Sequence, residues 1–374
     1  MTAKIPLSRV YHSELIDRRI LEVVKGGNYI LGPECKAFET ELAAWFGVPH
    51  CVLSSSWTAA VHLLHLAQIQ FGHLKPGDEI LVPSLTAFPS IEPMIHCGIK
   101  PVFCDIDDTY TICPEDAKKR ITSRTKGILP VHLYGRPANI DAFAKLAKDH
   151  GLFIIEDCAQ SHGARWKGKR VGSFTEHAAL SFYPSKNLTV YGDGGAILTQ
   201  DGEIAKRVGM LRNHGRKDKY LHEKVGFNLR FNEINAAVGR EQLKVLEDLN
   251  SGRRRAADQY RRELAGVKGI VLPPEDKGTE TESVYHMFVI RLDNNDRRES
   301  LGRYLREQGI ESGVHYPVPN HQQPAIEEVY GRLPALPKTE DYVKRILSLP
   351  MFPAITEAEV RAVADAIKQF LART

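Results

Sequence analysis

Residues 153–160 read FIIEDCAQ, and residues 180–187 read LSFYPSKN, followed from Gly192 by GDGGA. Asp157 leaves the end of an apolar strand. Lys186 stands after a second apolar strand, among small and aromatic residues. A lysine taken out of water has its charged form disfavoured, which frees the neutral amine that attacks an aldehyde. A carboxylate at a neighbouring strand end can keep a pyridine nitrogen protonated. The pair suits pyridoxal 5′-phosphate (PLP), with the lysine holding the aldehyde as a Schiff base and Asp157 keeping the ring an electron sink. Gln160 is placed to reach the ring or its phenolic oxygen. His162 either does the same or packs locally.

The phosphate of such a cofactor needs donors. Ser54-Ser55-Ser56 and Thr58 precede an apolar helix, whose first free N–H groups and dipole favour an anion. Ser181 adds a hydroxyl at another strand end. The serine cluster also fits a plain helix cap, and GDGGA alone fits a tight turn. The run Arg253-Arg254-Arg255 reads as a solvated helix face. His315 and Tyr316 lie in a proline-rich loop that is either structural or a substrate contact. The histidines show no metal-ligand spacing, and no metal is expected.

The elements that must position these groups alternate. Apolar strands are expected at 50–55, 78–84, 100–106, 126–134, 152–157, 178–185 and 195–200. Helical spacing with caps or glycine stops appears at 12–26, 34–47, 59–69, 114–122 and 139–151. This rhythm predicts an α/β fold with a mostly parallel seven-stranded sheet flanked by helices. In such sheets ligands bind beyond the carboxyl ends of the strands. Ser55–Thr58, Thr86, His132, Asp157 and Lys186 all fall at such ends. After about residue 205 the pattern changes. A charged helix at 231–264, a strand at 283–292, and helices at 297–309 and 356–372 predict a smaller α/β unit. The expected domains are 12–250 for cofactor binding and 251–374 for the smaller one, the latter completed by the N-terminal segment 1–30.

The 374 residues are 43% hydrophobic and 26% charged, with a net charge of +4. These values suit a globular protein and argue against a dedicated nucleic-acid binder. No stretch approaches the roughly 18 apolar residues of a membrane span, and the N-terminus lacks the apolar run of a signal peptide. The six cysteines have no CxxC spacing and read as free thiols of a reducing, cytoplasmic compartment.

In order along the chain, ILGPECKAFETELAAWFG, GDEILVPSLT, VHLYGRPANID, IIEDCAQSHGA, SFYPSKN, GDGGA, RNHG, GFNLRFNEINAA and GVHYPVP resemble the DegT/DnrJ-type sugar aminotransferases, a branch of the fold-type I PLP enzymes. The resemblance runs nearly end to end. It implies that Lys186 holds the cofactor and shuttles the proton, Asp157 pairs with the pyridine nitrogen, and Gln160 lies by the ring. Ser181, Ser56, Trp57 and Thr58 belong to the phosphate region. Asn228 reaches the phosphate of a neighbouring subunit, which implies a homodimer with shared active sites. Arg230, His315, Tyr316 and Thr86 fall on the substrate side. Two positions depart from the family pattern. Trp57 replaces a glycine, and Ala87 replaces an aromatic residue that stacks on the ring, so Trp57 or Phe88 is expected to supply the flat surface.

The implied reaction moves an amino group from L-glutamate to a nucleotide-linked 4-keto- or 3-keto-6-deoxyhexose, for an amino sugar of a surface polysaccharide, glycan or secondary metabolite. A related dehydratase is disfavoured, because those members carry histidine where Lys186 stands. A fold-retaining regulatory or binding protein is the other alternative. Asp157, Gln160, Ser181, Lys186 and Asn228 together speak against it.

Overall fold

The computed structural model describes residues 5–373; residues 1–4 of the N-terminal segment and residue 374 lie outside the described residues. The strands of the main sheet are β1 (His50–Ser54), β2 (Glu79–Pro83), β3 (Lys100–Cys104), β4 (Thr125–Ile128), β5 (Phe153–Asp157), β6 (His177–Ser181) and β7 (Gly195–Thr199). Their order across the sheet is β1-β7-β6-β5-β4-β2-β3. All neighbouring pairs are parallel except the two made by β7, which runs against both β1 and β6. Strands β2, β6 and β7 are buried along their whole length, as a sheet covered by helices on both faces requires.

Helices α1 (Glu14–Gly26), α2 (Pro33–Phe46), α3 (Trp57–Gln70), α4 (Ile140–His150) and α5 (Gly202–Leu211) surround the sheet. Their starts follow local chemistry: the side chains of Ser13, Ser56, Asn139 and Asp201 each accept a free N–H of the first turn. Gly151, at φ +64°, ends α4 in the left-handed region that side chains avoid.

Helix α6 (Glu233–Glu263) runs unbroken for 31 residues. Its contacts are with α1 and α2 and also with the C-terminal helix. The expected boundary at 250/251 therefore falls inside one continuous helix. Beyond it, β8 (Ile270–Val271), β9 (Phe288–Leu292) and β10 (Ile346–Leu349) form an antiparallel sheet in that order. They share a core with α6, α7 (Asn295–Glu307) and α8 (Glu357–Arg373) through Tyr260, Leu301, Leu305, Val363 and Ile367. Ile5 joins this core, and its backbone bonds to Gly309 and Glu311.

Three expected strands are too long. The run 126–134 ends as a strand at Ile128, because Pro130 has no N–H to donate and Val131 makes only a bridge to Asp157. The run 178–185 ends at Ser181, where its partner β7 begins at Gly195, and the chain then turns. The run 283–292 is a strand only from Phe288. Upstream, its backbone bonds instead to Tyr134, Gly135 and Asn187.

Candidate active site

The sheet register assembles the site. Ser54, Gly195 and Ser181 lie opposite one another on β1, β7 and β6, and Asp157 of β5 lies opposite Ala179 of β6. The groups that follow these positions converge beyond the carboxyl ends of β1, β5 and β6. There they border a cleft of about 360 Å³. Ten of the expected residues line it: Ser56, Trp57, Thr58, Thr86, Asp157, Gln160, Ser181, Lys186, His315 and Tyr316.

Lys186 closes a tight turn by donating its N–H to the carbonyl of Tyr183 at 2.8 Å. Among the described residues, its Nζ has no hydrogen-bond or ion-pair partner. Burial lowers its pKa to about 8, against the opposing pull of Asp157. Burial and the lysine's charge likewise hold His162 to about 3 and His315 to about 4.

Asp157 is 2% exposed. Burial raises its pKa, while the donors around it oppose that rise. Oδ1 accepts from the N–H of Ala159 at 3.0 Å, and Oδ2 accepts from the Ser90 hydroxyl at 2.9 Å. Ser90 is in turn 2.9 Å from the Thr86 hydroxyl, so with Ser90 donating to Asp157, Thr86 donates to Ser90. Thr86 thus borders the cleft with its hydroxyl committed to the Asp157 chain. Gln160 bridges two segments: Oε1 accepts from the N–H of Tyr134 at 2.7 Å, and Nε2 donates to Tyr316 Oη at 3.2 Å.

The start of α3 forms the opposite wall. Ser56 caps the helix by accepting from the N–H of Ala59 at 3.0 Å. Gly195 makes this closeness possible. A Cβ there would lie 2.4 Å from the Ser56 carbonyl carbon and the Trp57 nitrogen, which only glycine permits. The GDGGA motif therefore sets the spacing between β7 and the helix start, beyond making a turn. Trp57 is the first residue of α3 and is buried, and its Nε1–H has no partner among the described residues. It lines the cleft beside Ala87, whereas Phe88 packs against the core.

Asn228 and Arg230 do not border the cleft. Asn228 is exposed, and its Oδ1 accepts from Arg230 Nε at 3.0 Å. The neighbouring Leu229 carbonyl ties this segment to Ser54 and Ser55. Nor does His132 reach the cleft. It lies beneath it, accepting from the N–H of Ala138 through Nδ1 and facing Glu156 at 3.2 Å through Nε2. Glu156 and Cys158 stand close enough to His132 to suggest a metal site. However, the Glu156 carboxylate already takes the N–H groups of Gly172, Phe174 and Thr175 and the Thr175 hydroxyl.

Ser90, Asp193, His286 and Met287 were not read from the sequence, yet Ser90 supports Asp157 and the others line the cleft. Ser90 follows Thr86 by four residues, a spacing that was available as a signal. His286 stands in an apolar run and gave none. Arg253 is a correction. It is 3% exposed, and its Nη1 donates to the carbonyls of Tyr285, His286 and Met351.

These residues fit PLP. They offer an unpaired lysine amine, a buried carboxylate within the same cleft, and a helix start with hydroxyls, held by a glycine that no side chain could replace.

The sequence profile of the DegT/DnrJ/EryC1/StrS aminotransferase family matches residues 11–368. The dTDP-3-amino-3,4,6-trideoxy-alpha-D-glucose transaminase of Streptomyces venezuelae is 42% identical over 358 residues, covering 96% of this chain and 92% of that protein. A UDP-N-acetyl-3-dehydro-alpha-D-glucosamine 3-aminotransferase of Acidithiobacillus ferrooxidans is 39% identical, covering 94% of this chain and 92% of that one. The crystal structure of DesV from S. venezuelae superposes with a TM-score of 0.93 at 40% identity, and each chain is covered completely.

Proposed function

The chain belongs to the DegT/DnrJ/EryC1/StrS aminotransferase family and is a PLP-dependent aminotransferase, and from that premise we propose that it moves an amino group from L-glutamate to a nucleotide-linked keto-sugar at ring carbon 3. The observation that carries the reading is Lys186, an unpaired amine whose proton affinity burial has lowered, in one cleft with Asp157. The two relatives compared by sequence support the ring carbon, since both are named for an amino or keto group at position 3.

When bound, PLP supplies the electron sink that lets the Cα–H bond of an amino donor break. Lys186 would hold it covalently and, once displaced, take that proton as a neutral amine; a pKa of about 8 suits a base working near neutrality. Asp157 would face the ring nitrogen. Its two oxygens keep lone pairs beyond those used by Ala159 and Ser90, and a cationic partner would offset the rise that burial imposes. Ser181, Thr58 and the first N–H groups of α3 would take the phosphate. Trp57 would supply the flat surface that Ala87 lacks. His315 and Tyr316 close the cleft from the smaller unit and would meet the sugar.

A second copy of the chain would complete the site. Asn228 and Arg230 do not border their own cleft, and their segment also exposes Tyr220 (81%) and Val225 (91%). Sedimentation should show a dimer that Val225→Asp disperses. A monomeric wild type would overturn the shared site. Among the described residues no helix is long and apolar enough to cross a membrane, and the six free cysteines accord with a cytoplasmic setting.

The reaction is tested by 2-oxoglutarate release from L-glutamate with a dTDP-linked 3-keto-6-deoxyhexose and with its 4-keto isomer. Release with the 3-keto sugar is expected. Turnover of the 4-keto isomer alone would overturn the ring position, and no turnover of any keto-sugar nucleotide would overturn the substrate class.

A further inference from the structure

Residues Ser283–Met287 join no sheet, and the segment meets the cleft through His286 and Met287. His286 is 4% exposed. Nδ1 lies 3.1 Å from Oδ1 of Asn187, the residue after Lys186. The surroundings fix which nitrogen carries the proton. Asn187 Nδ2 donates to the Val284 carbonyl at 3.1 Å and to Asn250 Oδ1 at 2.8 Å. A backbone carbonyl can only accept, so this group is the amide nitrogen. Asn250 is held the same way, because its Nδ2 donates to the His162 carbonyl at 2.8 Å. Asn187 Oδ1 is then an acceptor, and the ring nitrogen facing it is Nδ1–H. The other nitrogen, Nε2, keeps a lone pair, is buried, and has no partner among the described residues.

Arg253 secures the histidine from behind by donating to the backbone carbonyls of Tyr285 and His286. An imidazolium would face that guanidinium and Lys186 together, so the ring stays neutral. His286 and Lys186 line the same cleft. One presents an acceptor with no donor, and the other a donor with no acceptor. A buried lone pair left unmatched is unfavourable, and a lysine side chain in the same cleft that turned its amine toward it would resolve both.

We propose that His286 is a positioning residue for Lys186: its Nε2 accepts a hydrogen bond from the lysine amine once that amine, released from its covalent role, turns from its present position toward the histidine. Asn187 fixes the tautomer that makes this possible, so the residue beside the lysine orients the group that receives it. The inference rests on Lys186 being the reacting lysine. Its consequence is a parked amine, held at one place in the cleft between two chemical half-cycles.

The other charged or titratable groups around the pair are Asp157, His162, His315 and Arg253, with Asp193, Tyr183 and Tyr316 also lining the cleft. None is altered in the test. Full-length protein freed of cofactor is treated with acetic anhydride across a pH series, and Lys186 acetylation is read by peptide mass spectrometry. An acceptor at Nε2 favours the ammonium, so its loss lowers the lysine's proton affinity. His286→Asn keeps a polar atom near Nδ1 only, and should move the midpoint down by about one pH unit, a tenfold change. His286→Gln restores an oxygen near the place of Nε2 and should hold the wild-type midpoint. A midpoint shared by both variants, shifted or not, would overturn the proposal. Nitrogen-15 spectra of the wild-type histidine ring add a check that needs no altered fold. A proton on Nδ1 is expected, and one on Nε2 would overturn it. Borohydride trapping of PLP on wild-type Lys186, run in parallel, separates the two readings. Its failure would overturn the function proposed above, whereas only the midpoints and the ring proton decide the role of His286.

Discussion

Ser90→Ala isolates one hydrogen bond with a defined electrostatic effect. The Ser90 hydroxyl donates to Asp157 Oδ2 at 2.9 Å, and both residues are 2% exposed. A hydrogen bond to a charged group contributes about 1.5–3 kcal/mol, and this one favours the carboxylate over the carboxylic acid. Its loss should raise the Asp157 pKa beyond the rise that burial already produces. The lower figure, 1.5 kcal/mol, corresponds to about one pH unit. Asp157 serves the cofactor only when ionised. PLP affinity therefore holds above the titration of Asp157 and falls as pH drops through it. In Ser90→Ala that acid limb should lie about one unit or more higher, with affinity at pH 8 little changed. PLP titrations followed by absorbance at several pH values measure both ends. Thr86→Val removes only the donor to Ser90 and should shift the limb in the same direction by less. An unchanged acid limb in Ser90→Ala, with normal folding, would refute the assigned role of the Thr86–Ser90–Asp157 chain.

Gly195→Ala should weaken PLP binding at least about tenfold and destabilise by about 1–3 kcal/mol, because its Cβ meets the backbone of Ser56 and Trp57 at 2.4 Å. Gly209→Ala in α5 meets nothing within 4 Å and should stabilise by about 0.5–1 kcal/mol in urea unfolding, which makes it the control. Trp57→Ala should lower PLP affinity while Phe88→Ala leaves it unchanged, as read by equilibrium titration; equal effects would remove Trp57 from the cofactor's face. Arg253→Met should cost about 3 kcal/mol or more in urea unfolding, because three buried carbonyls lose their donor. A loss below about 0.5 kcal/mol would show those carbonyls to be satisfied otherwise.

The parallel sheet was legible because its strands are short apolar runs punctuated by caps and glycine stops. Overruns came where apolar character outlasted pairing. Val131–Tyr134 are buried but pair with β5 only through the bridge from Val131 to Asp157, and beyond Ser181 the chain runs past the first residue of β7, Gly195. Helix α5 and strand β10 went unread, since α5 falls where the repeating pattern stops and β10 spans only four residues. In the site, the lysine, the carboxylate and the helix start were visible as types in context. His286 was not, because its partner lies 99 residues away, and Ser90 showed only its four-residue spacing from Thr86, since the Asp157 carboxylate it serves lies 67 residues away. Arg253 misled for the same reason. A run of three arginines looks solvated until its first member is found turned inward, under the loop that carries His286.

The central claim is that Lys186 binds PLP covalently and is the lysine of the transamination. Borohydride reduction of the PLP-loaded protein, followed by peptide mass spectrometry, tests it most directly. One phosphopyridoxyl group per chain is expected, on Lys186, and it disappears when L-glutamate is added before reduction. A label on another lysine, no label, or a label untouched by any amino donor would contradict it.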